Sequence, residues 1–176
     1  MKEEEDTMTK IGLFWGSDTG NTETVAGLIA ESIGNDNVDL IDVSAASKAD
    51  MEKYRYLILG TPTWYDGELQ SDWASFLPNM DEIDFSKKTV ALFGLGDQFG
   101  YSEYFLNGMG ELYDKLIERS AKVVGQWPTD GYEFDESTAV RDGMFVGLAL
   151  DQDNQQDKTE ERIKKWVEQV KPEFGL

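Results

Sequence analysis

Ile11-Gly12-Leu13-Phe14-Trp15-Gly16-Ser17-Asp18-Thr19-Gly20-Asn21-Thr22-Glu23 is the stretch on which the reading of this chain turns. Its apolar run reads as a buried strand that ends at Gly16. A hydroxyl- and glycine-rich turn follows, and Glu23 opens a segment with helical apolar spacing. Strand, loop and helix in series offer backbone N–H groups and the positive end of a helix dipole to whatever sits above them, which suits a phosphate. Ser17, Thr19 and Thr22 add hydroxyl donors. The plainer alternative is a helix start capped by Thr19 or Thr22 with nothing bound.

Two nucleotide motifs share this layout, and both fail on the residues. The triphosphate loop requires G-x-x-x-x-G-K-[ST], whereas Gly20 is followed by Asn21 and the loop holds no lysine. The dinucleotide fingerprint G-x-G-x-x-G lacks its middle glycine, since Gly16 and Gly20 bracket three other residues. A single phosphate monoester, held by hydroxyls and amides rather than by cations, fits best.

Moving outward, 176 residues are enough for one domain with a substantial core. The chain has no cysteine and no histidine. That composition excludes disulfides, thiolate metal sites, Cys- or His-based nucleophilic triads and histidine-attached cofactors. Chemistry must come from carboxylates or from a non-covalently bound cofactor. A formal charge of -19 repels nucleic acid and anionic lipid and favours basic protein partners, unless it serves solubility alone. No apolar run is long enough to span a membrane, and the N-terminus does not read as a signal peptide. Residues 1–9, with Glu3, Glu4, Glu5 and Asp6 in a row, read as a flexible acidic tail, leaving residues 10–176 as the domain.

Along the chain, apolar strands alternate with amphipathic helices, the pattern of a parallel sheet covered on both faces. Strands are expected over residues 10–15, 38–43, 54–60 and 89–94, and a fifth over 123–127 resumes at 145–150 after a polar, glycine-bearing excursion. Helices are expected over residues 21–33 with Gly34 as the stop, over 71–76 with Pro78 ending it, over 103–119 and over 158–170. Residues 44–51 read as a weakly helical connection. Right-handed crossovers bring the loops after the first, third and fourth strands to one sheet edge. One of these loops is Gly60-Thr61-Pro62-Thr63-Trp64-Tyr65-Asp66-Gly67-Glu68, and another is Gly94-Leu95-Gly96-Asp97-Gln98-Phe99-Gly100-Tyr101. Each carries glycines and a large ring that loops seldom expose. Two such rings across one crevice can sandwich a flat ligand.

With these motifs in place the chain resembles the flavodoxins, the long-chain type in particular, over nearly all of residues 10–176. Gly16 to Thr22 resembles the phosphate loop, Pro62-Thr63-Trp64 with Gly67-Glu68 the first flavin loop, and Gly96-Asp97-Gln98 with Tyr101 the second. Residues 128–143 lie where long-chain members carry the insertion that splits the last strand. The resemblance implies a doubly wound five-stranded parallel sheet with strand order 2-1-3-4-5, the order known for this fold. It implies a soluble carrier that binds FMN non-covalently and moves electrons singly, mainly between semiquinone and hydroquinone, and is no enzyme. By the same resemblance, Ser17, Asp18, Thr19, Gly20, Asn21 and Thr22 hold the phosphate, and Trp64 and Tyr101 stack on opposite faces of the isoalloxazine. Thr63, Gly67, Leu95, Gly96 and Asp97 contact ring and ribityl, and Asp153 matches a ribityl-contacting acid. The Tyr65-Asp66 peptide matches the one whose carbonyl turns toward flavin N5 on reduction. Partners implied are basic faces of redox proteins, such as a ferredoxin/flavodoxin-NADP reductase, a photosystem or another reductase. The implied state is a monomer in the cytoplasm, or in the plastid stroma of a photosynthetic eukaryote.

A calcium loop is the rival reading of Asp151, Asp153 and Gln155, and it breaks where its glycine should be, at Gln156, and where its closing glutamate should be, at Arg162. Two other functional classes share the fold. A quinone-reductase-type enzyme needs a second substrate platform, for which this length leaves little room. A receiver domain needs an acidic cluster and an acceptor aspartate that Asp18 and Thr61 do not provide. Around a flavin, Asp66, Glu68 and Asp97 without a basic neighbour disfavour the anionic hydroquinone. One carboxylate at ~10 Å contributes roughly 1.7 kcal/mol at an effective dielectric near 20. Several lower the second one-electron potential by on the order of 100 mV.

Overall fold

The computed structural model of the chain describes residues 10–64 and 66–176. The opening strand β1 (Ile11–Trp15) is buried along almost its whole length, and its apolar residues place it at the sheet centre. It pairs in parallel with β2 (Val38–Asp42) on one side and β3 (Tyr56–Trp64) on the other. Parallel pairing continues from β3 to β5 (Thr89–Leu95). Two short strands share the far edge of β5: β6 (Lys122–Val124) pairs with Thr89 to Ala91, and β10 (Leu148–Leu150) pairs with Phe93 to Leu95. The expected split of the last strand is therefore present and the parallel order matches the expected 2-1-3-4-5, but its halves are shorter than the expected 123–127 and 145–150, because Trp127 and Phe145 pair antiparallel with each other instead. Between the two halves, β7 (Trp127–Pro128), β8 (Val140–Arg141) and β9 (Met144–Phe145) form a small antiparallel sheet.

Helix α1 (Asn21–Ile33) has the expected bounds. Thr22, Val25, Ala26, Ile29, Ala30 and Ile33 are buried at the spacing of one helix face, and Gly34, at φ 119, donates its N–H to the Ala30 carbonyl and ends the helix. The remaining helices are α2 (Lys48–Glu52), α3 (Ser71–Met80), α4 (Asn107–Glu118) and α5 (Thr159–Val170). Ile163, Trp166, Val167 and Val170 of α5 are buried together as their spacing predicts.

Three further expectations are corrected. Strand β3 does not stop at residue 60 but continues to Trp64, because β4 (Glu68–Leu69) folds back and pairs with Thr63 and Trp64. Helix α3 runs through Pro78 to Met80 instead of ending before it. Pro78 and Ala74 lie on the exposed face, so water can serve the carbonyl that the missing N–H leaves, while Phe76 and Met80 pack inward. Helix α4 begins at Asn107, four residues later than expected from the start at 103. Leu106 is fully buried with φ 59, and that left-handed residue separates the helix from the turns of residues 101–106.

Candidate functional site

A cleft opens beyond the carboxyl ends of β1, β3 and β5, where the chain's crossovers diverge to the two sides of the sheet, and this is where open α/β sheets place their ligands. Its floor is the turn from β1 into α1. Gly16 N–H donates to the Gly60 carbonyl at 3.2 Å and so continues the ladder past the end of β1. Gly20 then takes φ 90, a conformation in which a side chain would be strained, with open space where a Cβ would stand. No side chain caps α1, so the N–H groups of its first turn stay available above the loop. Thr22 is buried beneath them, 1% exposed, and Thr19, Asn21 and Thr22 all line the cleft.

Two neighbouring side chains brace the loop from within. Ser17 Oγ accepts from Gly20 N–H at 2.9 Å and fixes the loop from within. The Asp18 carboxylate accepts from Gln70 Nε2 at 3.1 Å, so it faces the start of α3. Gln70 is fully buried, and its Oε1 accepts from Trp73 N–H at 3.1 Å. Trp73 Nε1 donates to the Gly60 carbonyl at 2.8 Å, the same oxygen that receives Gly16.

The first wall is the end of β3. Pro62, Thr63 and Trp64 line the cleft, and Thr63 Oγ1 accepts from the Gly108 N–H at 2.9 Å, which docks the wall on the first turn of α4. Gly67 N–H closes a turn onto the Trp64 carbonyl at 3.1 Å, with Gly67 at φ 89. Asp66 and Glu68 stand exposed on this turn, outside the lining. Tyr65 lies outside the described residues.

The second wall is the loop after β5. Leu95, Gly96, Asp97 and Tyr101 line the cleft opposite the first wall, and Tyr101 is 44% exposed with Phe99 beside it at 57%. Asp97 does not simply point outward. Its Oδ1 accepts from Gly100 N–H at 2.7 Å, Phe99 N–H at 3.1 Å and Asn154 Nδ2 at 2.7 Å. Desolvation pushes its carboxyl up, but the bonds from Gly100, Asn154 and Phe99 prevail and hold it below the ordinary carboxylate range. Asp151, fully buried at the end of β10, accepts from Gln98 Nε2 at 2.7 Å, Gln98 N–H at 3.2 Å, Asp153 N–H at 3.1 Å and Asn154 N–H at 3.0 Å. This carboxylate binds the second wall to the loop that carries Gln152 and Asp153 into the cleft. Asp153 is held above the usual carboxylate range by desolvation and by the neighbouring Asp97 and Asp151 charges.

The structure thus gathers Thr19, Asn21, Thr22, Thr63, Trp64, Leu95, Gly96, Asp97, Tyr101 and Asp153 around one cleft, with no Lys or Arg among the described residues that line it. Gln152 and Pro62 join them. Sequence reasoning missed Gln70, Gln152 and the positioning role of Asp151. For Asp151 a local signal existed, since an aspartate that opens a turn commonly accepts from the N–H groups two and three residues on. Gln70 carries no such mark. Among the described residues, no helix is long and apolar enough to cross a membrane.

Residues 13–166 match the family model described as Flavodoxin. The chain is 55% identical over 167 residues to a flavodoxin of Nostoc sp., covering 95% of this chain and 98% of the relative. It is 56% identical over 166 residues to the flavodoxin of Synechocystis sp., covering 94% and 98%, and 49% identical over 170 residues to flavodoxin 1 of Escherichia coli, covering 96% and 97%. The crystal structure of Fusobacterium nucleatum flavodoxin bound to flavin mononucleotide superposes with a TM-score of 0.90 at 38% identity, covering 94% of this chain and 98% of that one.

Proposed function

The chain belongs to the flavodoxin family, and from that premise we propose that its cleft binds FMN non-covalently and that residues 10–176 act as a single electron-carrying domain. Its function is low-potential, one-electron transfer rather than enzymatic turnover. The observation that carries this reading is the uncapped start of α1 above buried Thr22, set between two walls that bear Trp64 and Tyr101, in a cleft with no basic residue among the described ones that line it. A phosphate monoester there would meet N–H and hydroxyl donors supplied by Ser17 to Thr22, an arrangement that needs no lysine. Trp64 and Tyr101 would flank the isoalloxazine, Thr63, Gly67, Leu95, Gly96 and Asp97 would touch ring and ribityl, and Asp153 would serve the ribityl chain. Bound FMN supplies electron exchange one electron at a time. The residues of this chain exclude water from the ring, hold the phosphate and surround the ring with carboxylates that oppose added negative charge.

The exposed acids Asp66, Glu68 and Glu103 form a rim on which basic faces of redox proteins would dock, among them a ferredoxin/flavodoxin-NADP reductase or a photosystem. We place the working protein as a monomer in the cytoplasm or plastid stroma. Stepwise reduction of the purified protein under anaerobic conditions tests the reading. A flavin spectrum that passes through a third, half-reduced species before full bleaching supports it. Direct two-electron bleaching with no third species, or turnover of a quinone with NADPH and no partner protein, would overturn it.

A further inference from the structure

The segment 128–143, which separates the two halves of the split strand, is bonded along its length to the chain beside the cleft. Its Tyr132 and Phe134 rings pack with Phe105 and Phe145 at centroid distances of 5.1 to 6.0 Å. Residues 135–138 then bond to the stretch between Tyr101 and the start of α4. The Asp135 and Glu136 N–H groups donate to the Ser102 carbonyl at 2.9 and 3.0 Å, the Ser137 hydroxyl donates to the Phe105 carbonyl, and Thr138 N–H donates to Asn107 Oδ1 at 2.8 Å. Gly110 lets Thr138 lie directly on α4, since a Cβ there would stand 2.6 Å from Thr138 Oγ1.

The other side of Asn107 meets the first wall. Gly67 takes φ 89, and a Cβ on it would stand 2.8 Å from Asn107 Nδ2 and 3.0 Å from Asn107 Cβ, so the Asn107 side chain stands directly behind the turn that follows Trp64. With Oδ1 held by Thr138 N–H, the amide keeps Nδ2 toward Gly67. Gly108 N–H donates to Thr63 Oγ1 at 2.9 Å, so the first turn of α4 holds the Trp64 stretch at both ends, Thr63 through Gly108 and Gly67 through Asn107. We infer that Asn107 is a positioning residue for the flavin: it passes the hold of Thr138 to the Gly67 turn and so fixes where the Trp64 ring stands in the cleft. This inference rests on the FMN reading. Asn107 lies outside the described lining of the cleft, so it acts through the wall and not by contact. A wall ordered beforehand binds more tightly than one that must be ordered by its ligand.

Flavin titrations of Asn107→Ala, Asn107→Asp and Thr138→Pro, with amide NMR of the apoproteins, test this. Alanine removes the amide, whereas aspartate keeps its shape and the acceptor for Thr138 N–H. Position 138 is second in a turn closed by Val140 N–H on the Ser137 carbonyl at 3.3 Å, a place that accepts proline, so Thr138→Pro removes the donor to Asn107. Asn107→Ala should weaken FMN and riboflavin by the same factor, about three- to tenfold, because the phosphate is not concerned. Its saturated complex should emit more strongly as Trp64 leaves the ring, and Asn107→Asp should restore both affinity and quenching. Thr138→Pro should match Asn107→Ala, and the double variant should add little to either, as one chain of contacts requires. In the apoprotein, Thr138→Pro should shift the amides of residues 66–68, and should leave them in place where Asn107 is already alanine. A lowered urea midpoint in Asn107→Ala with affinity and emission unchanged would make the residue structural and overturn the inference. Additive effects in the double variant, or amides of 66–68 that ignore Thr138→Pro, would overturn it as well. A wild-type protein that takes up no flavin would sink the FMN reading and this inference with it, whereas variants that match a flavin-binding wild type would sink this inference alone.

Discussion

Gln70 Nε2 donates to Asp18 Oδ1 at 3.1 Å, and through this one bond the start of α3 holds the loop beneath the cleft. The same buried amide caps α3 by accepting from Trp73 N–H at 3.1 Å. Gln70→Leu keeps the approximate size but leaves that N–H buried and unpaired, a loss of about 1 to 3 kcal/mol. The urea midpoint of the apoprotein should fall accordingly, and FMN affinity should fall with it as the loop loosens. If the midpoint drops while FMN affinity holds, the bond is structural and does not position the loop.

Thr22 is buried beneath the first turn of α1 and lines the cleft, and the proposed phosphate site draws on its hydroxyl. Thr22→Val is nearly isosteric and removes one donor to a charged group. It should weaken FMN by roughly 1 to 3 kcal/mol. Riboflavin, which lacks the phosphate, should bind both proteins alike. Equal weakening of both ligands in calorimetry would remove Thr22 from the phosphate site.

Glu68 stands exposed on the turn beside Trp64, whereas Glu31 is exposed in the last turn of α1, about a helix length from the cleft. Reversal to lysine changes net charge equally at either position. Only Glu68→Lys should slow association with a basic reductase, and the deficit should shrink as salt rises. Equal slowing in stopped-flow measurements would assign steering to net charge instead of to the rim.

Tyr65 lies outside the described residues; its neighbours Gly67 and Trp64 are joined by a bond from the Gly67 N–H to the Trp64 carbonyl at 3.1 Å. In flavodoxins the peptide at this position turns its carbonyl toward flavin N5 on reduction, which asks for positive φ at its first residue. A residue with a β-carbon meets a penalty of about 1 to 2 kcal/mol there that glycine does not. Tyr65→Gly should raise the first one-electron potential by on the order of 50 mV, given 59 mV per 1.4 kcal/mol for one electron. A spectroscopic redox titration at one pH checks it, and an unchanged or lower potential would show that Tyr65 is not the resisting position.

How much of this was legible beforehand depended on how local each cause is. The course from Ile11 to Ile33 could be read residue by residue because strand burial, loop glycines and helix spacing all act within one turn or one strand. The continuation of α3 past Pro78 and the late start of α4 at Leu106 could not, because solvent exposure on one face and core packing of a left-handed leucine are tertiary facts. The site divides in the same way. Glycine and hydroxyl residues marked the loop, and the rings marked the walls, but the bracing of the loop by Gly20 N–H on Ser17 Oγ and by Gln70 on Asp18 carried no sequence signal. Asp151 resembled a metal ligand and serves instead as an acceptor for Gln98, Asp153 and Asn154.

Fluorescence titration of the apoprotein with FMN, beside a parallel titration with riboflavin, tests the central claim most directly. The account predicts one FMN per chain, its fluorescence quenched between Trp64 and Tyr101, and binding at least tenfold tighter than riboflavin, which corresponds to about 1.4 kcal/mol for the phosphate in the loop. A colourless protein that leaves FMN fluorescence untouched, or one that binds the two flavins equally, would contradict it.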